Sequence, residues 1–374
     1  MTAPKVLQFV CPVGLYGAER WVLALCNNLR DREPPCDLAV TRESADQDLS
    51  VSELFRATGG VVHEVPMASR FDLRAATRLA RVIREGGYSL IHTHGYKSDI
   101  IGVLAARLAG IRCISTPHGA DKNASGKMRL YIEAGEIALR FCDAVVPLSE
   151  ELESEMLAAG VRRDRVRLVR NGVDLSEVDE GRSPPPSGAA QDVPRIGYVG
   201  QLIERKGVDR LIRAFSRVRA THPDLRFSII GDGAERPRLE ALAVELGCDD
   251  AVDFLGYRTD RLDLVSGFRL FVMASRSEGI PRCLMESLAL RVPVVAWDIP
   301  GVDQIVLHER TGLLAPLDDD DGLASGIARL LEDDALREAC GRQGRELVEE
   351  RFSAARMAQE YEAIFTELAG GGAA

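Results

Sequence analysis

Short runs of consecutive apolar residues alternate along this chain with longer stretches in which apolar positions recur every three or four residues. V-L-Q-F-V (6–10) precedes G-A-E-R-W-V-L-A-L-C-N-N-L (17–29), S-L-I-H-T (89–93) precedes S-D-I-I-G-V-L-A-A-R-L-A (98–109), and A-V-V-P-L (144–148) precedes S-E-E-L-E-S-E-M-L-A-A (149–159). Strands covered on both faces show as unbroken apolar runs, and the helices that cover them show a period near 3.6. The alternation predicts a doubly wound α/β chain built on parallel sheets. It breaks at G-R-S-P-P-P-S-G-A-A-Q-D-V, residues 181–193, whose Pro, Gly and Ser content suits a linker. The pattern then restarts with R-I-G-Y-V-G (195–200) and continues through R-F-S-I-I-G, A-V-D-F-L, L-F-V-M and V-P-V-V-A-W. Two α/β domains are expected, 1–180 and 194–352. An amphipathic helix comes next over about 353–369 with Ser353 as N-cap, and the tail G-G-G-A-A is expected to fray.

Composition narrows the class. Of the 374 residues, 46% are hydrophobic and 28% charged, the balance of a globular protein with room for two cores. No apolar run approaches the ~20 residues that cross a bilayer. The N-terminal M-T-A-P-K-V-L-Q-F-V-C enters the first strand without a cleavage site behind it, so a cytoplasmic location is expected. Eight cysteines are scattered singly, with no pair or Cys/His cluster at zinc spacing. A net charge of −10 argues against a nucleic-acid partner. Up to residue 180 there are 23 basic and 25 acidic residues, and beyond it 24 and 32, so the first half is the one suited to an anionic surface.

Open α/β sheets bind ligands outside the C-terminal ends of their strands, which directs attention to the segments after each strand. S-E-G-I-P-R-C-L-M-E-S-L-A-L (277–290) lies after one. Pro281 suits the first turn of a helix, because its missing N–H is one of the unpaired donors there. A helix starting at Pro281 would turn the amides of Arg282 to Leu284 and the positive end of its dipole toward an anion. Gly279 would let a ligand approach the backbone. Glu278 then lies outside the anion site and Glu286 inside the helix, too far apart for an acid/base pair. Two separate acceptors flanking a phosphate fit a sugar joined through diphosphate to a ribose. The plainer alternative is a helix cap and a solvated glutamate.

Three further segments bear on the chemistry. In G-Q-L-I-E-R-K-G-V-D-R-L-I (200–212), Arg205 and Lys206 lie after a strand; Lys206 is one of only five lysines and the only one after Lys127, which suits a phosphate contact. Near the start, Gly14 and Gly17 lie in a βα turn whose spacing is not the dinucleotide fingerprint. His92 and His94 in H-T-H-G-Y and His118 in T-P-H-G are likewise placed after strands, and with no carboxylate or cysteine set beside them they suit substrate hydrogen bonding better than a metal. His92 fits a core histidine and His118, between Pro117 and Gly119, a functional one. Lys122, Lys127 and Arg129, interspersed with Met128, Leu130, Tyr131, Ile132 and Phe141, could face an anionic membrane or a charged acceptor, or form a solvated face with an apolar stripe behind it.

G-L-Y-G-A-E-R, T-P-H-G, R-N-G-V-D, V-G-Q-L-I-E-R-K-G-V-D, I-I-G-D-G-A-E-R, F-L-G-Y, S-E-G-I-P-R-C-L-M-E-S-L-A and P-G-V-D-Q-I-V-L-H-E-R-T-G-L-L occur in that order over nearly the whole chain. The set resembles the retaining family 4 glycosyltransferases of the GT-B fold. The resemblance implies two Rossmann-like domains facing each other across a cleft, the first binding acceptor and the second a nucleotide-sugar donor, with the last helix packing back on the first domain. It implies that Glu278 contacts the donor sugar, Glu286 the ribose, Lys206 the diphosphate, and the backbone from Gly279 through Ile280, Pro281, Arg282 and Cys283 to Leu284 the sugar diphosphate. Gly17 would lie close to the diphosphate across the cleft, His118 by the reacting sugar, Gly256 and Tyr257 at the base, and Gly231 and Gly233 near the donor. Gln201 stands where many members carry Arg, so Arg205 is the candidate to supply the missing charge. His94, Tyr96, Lys122, Lys127 and Arg129 are the acceptor-side candidates. The activity implied is metal-independent transfer from a nucleotide sugar, UDP-linked by preference, to a glycan, glycolipid or lipid-linked acceptor, with peripheral contact at the inner membrane surface. A phosphorylase, a nucleotide-sugar epimerase and a silent nucleotide-sugar-binding subunit are the alternatives on the same fold.

Overall fold

The computed structural model describes residues 5–29, 36–69, 72–119, 126–180 and 193–370. Two compact units divide the chain, one of Met1–Gly172 with Ala354–Ala374, the other of Val173–Ser353. The expected boundary at 180 therefore moves to 172/173. The reason is burial: Val173 and Val178 lie wholly inside the second unit's core, and the Val173 amide donates to the Phe352 carbonyl at 2.8 Å. The expected linker, apart from Val193, lies outside the described residues, as does the tail after Gly370.

The first unit runs β1 (Val6–Val10), α1 (Gly17–Leu29), β2 (Cys36–Arg42), α2 (Ser50–Ala57), β3 (Val62–Pro66), α3 (Ala75–Gly86), β4 (Leu90–Thr93), α4 (Tyr96–Ala109), β5 (Arg112–Ser115), α5 (Gly126–Leu139), β6 (Ala144–Val145) and α6 (Glu150–Ala158). Its strands pair in the order β3-β2-β1-β4-β5-β6, all parallel. The second unit runs α7 (Leu175–Glu180), β7 (Arg195–Val199), α8 (Val208–Arg219), β8 (Arg226–Ile230), α9 (Arg236–Glu245), β9 (Val252–Gly256), α10 (Arg261–Ser266), β10 (Leu270–Met273), α11 (Arg282–Ala289), β11 (Val294–Trp297), β12 (Gly312–Ala315), α12 (Asp320–Glu332) and α13 (Asp334–Arg351). Its order, β12-β11-β10-β7-β8-β9, is the same topology, again parallel throughout. Strand order reverses between β1 and β4 in one sheet and between β7 and β10 in the other. Those switch points are where connections leave in opposite directions and a crevice opens.

Apolar side chains alternate between the two faces of each strand, so each sheet is covered twice. On β1, Val6 and Val10 join one core cluster while Leu7 and Phe9 join the other. Tyr198, Phe215, Phe227, Phe271, Trp297 and Phe352 are the largest fully buried side chains of the second unit. The last helix, α14 (Ala354–Gly370), belongs to the first unit. Its Met357, Ala358, Tyr361, Ile364 and Phe365, spaced three and four apart, close the same core cluster as Trp21, Val22 and Leu25 of α1.

The last helix is thus part of the first unit's core. Phe365→Ala, which empties a fully buried site, is expected to cost about 3–5 kcal/mol. By thermal denaturation the first unit should melt about 10 °C lower; an unshifted melt would show that α14 packs only loosely.

Candidate active site

The two motif segments of the second unit leave β7 and β10, the strands that flank its switch point. Backbone contacts lace them together: the Arg276 amide donates to the Arg205 carbonyl at 2.9 Å, and the Arg205 guanidinium donates to the Ser277 carbonyl at 3.1 Å. Gly207 (φ 61°) is pressed so close to the Ala274 carbonyl that a Cβ would lie 2.0 Å from its oxygen. The result is that Lys206 Nζ meets Glu278 Oε1 in an ion pair between residues 72 positions apart. Both side chains are largely buried, at 16% and 10% exposure. Gln201 and the Arg205 side chain stay exposed on the same loop.

The helix after Glu278 starts one residue later than expected. Pro281 has φ −68° and ψ 125° and is the N-cap, so α11 begins at Arg282. The Leu284 amide donates to the Pro281 carbonyl at 3.1 Å, which removes it from the expected anion-binding set. The amides of Arg282 and Cys283 have no backbone acceptor among the described residues and remain as the dipole's free donors. Burial pushes the Cys283 thiol up to about 12. It is therefore a neutral wall residue and not a nucleophile.

Gly231 and Gly233 are explained by packing. A Cβ at either would strike the Gly200 or Leu202 carbonyl, at 1.9 and 2.3 Å, so glycine here lets the loop after β8 lie against the loop after β7. Gly256 (φ 67°) accepts from the Gly231 amide at 2.8 Å and sets Tyr257 out at 63% exposure.

In the first unit, a Cβ on Gly17 would meet nothing within 4 Å, and the Tyr16 amide donates to Glu19 Oε2 at 3.1 Å. Around the Trp21 ring stand His92, His94, His118 and Tyr361, with centroids 5.2–6.0 Å away. His92 is a core residue as expected, bonded through Nε2 to Thr116 Oγ1 at 2.8 Å, although its Nδ1 is buried without a partner among the described residues. His118 is half-buried, and burial lowers its pKa to about 4. His94 is not an acceptor-side residue. It is only 7% exposed, and its ring nitrogens face Gln8 at 2.8 Å and His118 at 3.3 Å.

Two of the remaining acceptor-side candidates, Tyr96 and Arg129, spend their polar groups on neighbours in the first unit. Tyr96 points its hydroxyl at Met128 Sδ, 3.6 Å away, and packs edge-on against Tyr131, while Arg129 pairs with Glu133 one turn on. Lys122 and the Lys127 side chain lie outside the described residues. Among the described residues no group of three or more His, Cys, Asp or Glu is placed to hold a metal ion.

Two family models match the chain. Glycosyltransferase Family 4 covers residues 16–177, and Glycosyl transferases group 1 covers residues 179–347. The chain is a family 4 glycosyltransferase. Among its relatives is N-acetyl-alpha-D-glucosaminyl L-malate synthase of Bacillus anthracis, 24% identical over 80% of each chain. The lipopolysaccharide core biosynthesis glycosyltransferase LpsD of Rhizobium meliloti is 34% identical over 49% of this chain and 53% of its own. The structure of Anabaena HepE in complex with UDP superposes with a TM-score of 0.83 at 20% identity, over 97% of this chain and all of the other. The fold is GT-B.

One feature of this glycosyltransferase was not legible in its motifs. Glu286, 4% exposed, is gripped by two guanidiniums. Arg261 donates Nη2 to Oε1 at 2.7 Å and Nε to Oε2 at 3.2 Å, and Arg282 donates Nε to Oε1 at 2.7 Å. Glu177 of α7 bridges the same two arginines at 3.4 and 3.0 Å. Sequence reasoning missed Arg261 and Glu177. The available signal was a carboxylate on the otherwise apolar face of α11, which demands a cationic partner. Burial pushes the Glu286 pKa up, and Arg282 and Arg261 outweigh it, holding the carboxyl below its usual value.

A carboxyl with a lowered folded-state pKa contributes stability that is present above the unfolded value, about 4.3, and is lost as pH falls through the folded value. Arg261→Met leaves that carboxylate with a single guanidinium. The expected loss is about 3–5 kcal/mol at pH 7, with the acid limb of the stability curve moved to higher pH in calorimetric melts. Equal stability of mutant and parent across that range would refute the account of Glu286.

Proposed function

We propose that this glycosyltransferase transfers a sugar, with retention at the anomeric carbon, from a UDP-sugar to a glycan, glycolipid or lipid-linked acceptor of a cell-surface polysaccharide or glycoconjugate. The observation that carries the reading is the Lys206–Glu278 pair at the amino end of α11. A buried cation beside two free helix amides is suited to a diphosphate, and the carboxylate it releases is suited to a sugar hydroxyl. In this reading the donor enters by exchange: Lys206 passes from Glu278 to the diphosphate, and Glu278 passes to the sugar. Gln201 and Arg205 lie beside the diphosphate, Gly256 and Tyr257 at the base, and Glu286 at the ribose with its remaining lone pairs. The family resemblance assigns His118 to the reacting sugar, and a Cβ on Gly17 would meet nothing within 4 Å.

The bond from the anomeric carbon to the diphosphate oxygen breaks with both electrons leaving on the diphosphate, so cationic character grows on the sugar and negative charge on the leaving group. Lys206 and the α11 amides stabilise that charge without a metal ion. The acceptor oxygen bonds to the anomeric carbon on the face the diphosphate leaves, and its proton passes to the departing phosphate oxygen. HepE's structure with UDP and the lipopolysaccharide role named for LpsD support the donor and acceptor classes. Exposed Leu104, Leu108, Leu130, Ile137 and Phe141 on and beside α4 and α5, with Arg107 over the Phe141 ring at 4.8 Å, support peripheral contact with an anionic membrane surface.

A nucleotide-sugar panel tests the proposal. UDP at about 100 times its dissociation constant should stabilise the protein by about 2.7 kcal/mol. Lys206→Ala and Glu278→Ala should each lower kcat/KM for the UDP-sugar by about 100- to 1000-fold. Turnover only with added inorganic phosphate would point to a phosphorylase, and undiminished turnover by Glu278→Ala would remove that residue from the chemistry.

A further inference from the structure

The first unit sets three polar side chains in a line, the first two buried and the third half-buried, that donor binding does not explain. Gln8 is on β1, His94 comes after β4 and His118 after β5, adjoining strands of one sheet. Gln8 is fully buried. Its amide Nε2 donates to Cys36 Sγ at 3.6 Å, which turns Oε1 toward His94 Nε2 at 2.8 Å. A carbonyl oxygen only accepts. The His94 proton must then sit on Nε2, leaving a lone pair on Nδ1. That nitrogen lies 3.3 Å from His118 Nε2, so the bond between the rings forms only if His118 carries its own proton on Nε2. The lone pair of His118 falls on Nδ1, which has no bonding partner among the described residues.

Among the described residues nothing nearby competes for these positions. His92, 4.2 Å from His94 between ring centroids, spends its Nε2 on Thr116, and the Thr116 hydroxyl is in turn 2.6 Å from the Tyr361 hydroxyl. Trp21 stands edge-on to His118 at 5.2 Å and tilted against His94 at 5.4 Å, which fixes both ring planes. Burial lowers the pKa of both histidines, to about 4 for His118, in keeping with neutral rings. We propose that Gln8 and His94 are positioning residues that hold His118 in its neutral Nε2–H tautomer, so that His118 Nδ1 meets a substrate hydroxyl as a hydrogen-bond acceptor. The last clause rests on the role given to His118 above; the tautomer itself does not. A hydroxyl that donates to His118 keeps both lone pairs of its oxygen free to accept elsewhere, whereas a donor at that place would occupy one of them.

The test is long-range proton–nitrogen correlation on the full chain with 15N-labelled histidine, the His118 signals assigned by their loss in His118→Asn. The expected wild-type spectrum has a protonated Nε2 and a bare Nδ1 at His118. The opposite tautomer would mean that the Gln8 amide is turned around, and would overturn the proposal. Gln8→Leu should mix the two tautomers at His118 and lower kcat by about 10- to 100-fold, with KM for the nucleotide sugar within about twofold. A Gln8→Leu protein with an unchanged tautomer and an unchanged kcat would also overturn it. The expected spectrum in a protein that consumes no nucleotide sugar would uphold the relay and count against the function proposed above alone.

Discussion

Lys206 and Glu278 neutralise each other inside the second unit, and much of that unit's site depends on the need to keep them together. Neither charge is tolerable alone at such low exposure, since an unpaired buried ion costs several kcal/mol. Their partnership requires two loops 72 residues apart in sequence to stay in register, which parallel strands β7 and β10 achieve by lying side by side. The Arg205 contacts to residues 276 and 277 then hold the loops at one separation. A pair held this way can exchange partners cheaply. In the proposed donor exchange, an entering diphosphate replaces Glu278 as the anion at Lys206, so the ammonium keeps a counter-charge throughout.

Glu286 obeys the same constraint with a different outcome. It is deeper than Glu278, and one cation is not enough; Arg261 and Arg282 bind it from two sides, and Glu177 balances the second positive charge. This tetrad ties α7, α10 and α11 to one another, so the helix whose amino end offers two free amides is anchored through its own interior. Arg282 is at once the first residue of that helix and a partner of its fifth. The geometry of the anion site and the ionisation of Glu286 are therefore one property.

The fold was readable because it rests on period and punctuation. Apolar runs such as L-F-V-M and the helical stretches after them identified parallel strands and their crossovers, and the motifs fell after β7 and β10, where the topology needs them. The features that stayed hidden depended on contacts between distant segments. Arg261 sits in R-T-D-R, a string with no mark of burial, and only the fold turns it toward Glu286. The division at 172/173 was obscured because Val173 and Val178 precede the Pro-rich linker yet pack with the strands and helices beyond it. Pro281 misled by one residue, since the same fixed φ suits the N-cap and the first helical position, and it is ψ that separates them. His94 looked accessible because a histidine after a strand is equally compatible with a buried hydrogen-bond chain, and Gln8, a lone polar residue in the first apolar run, was the overlooked sign of one.

Polar groups under cover are handled in two ways in this chain. Lys206 and Glu278 of the second unit, like Lys97 and Glu43 of the first, are oppositely charged side chains placed in pairs. The histidine cluster of the first unit sheds charge instead: burial lowers the pKa of His92, His94 and His118 alike, and their mutual arrangement is governed by proton position.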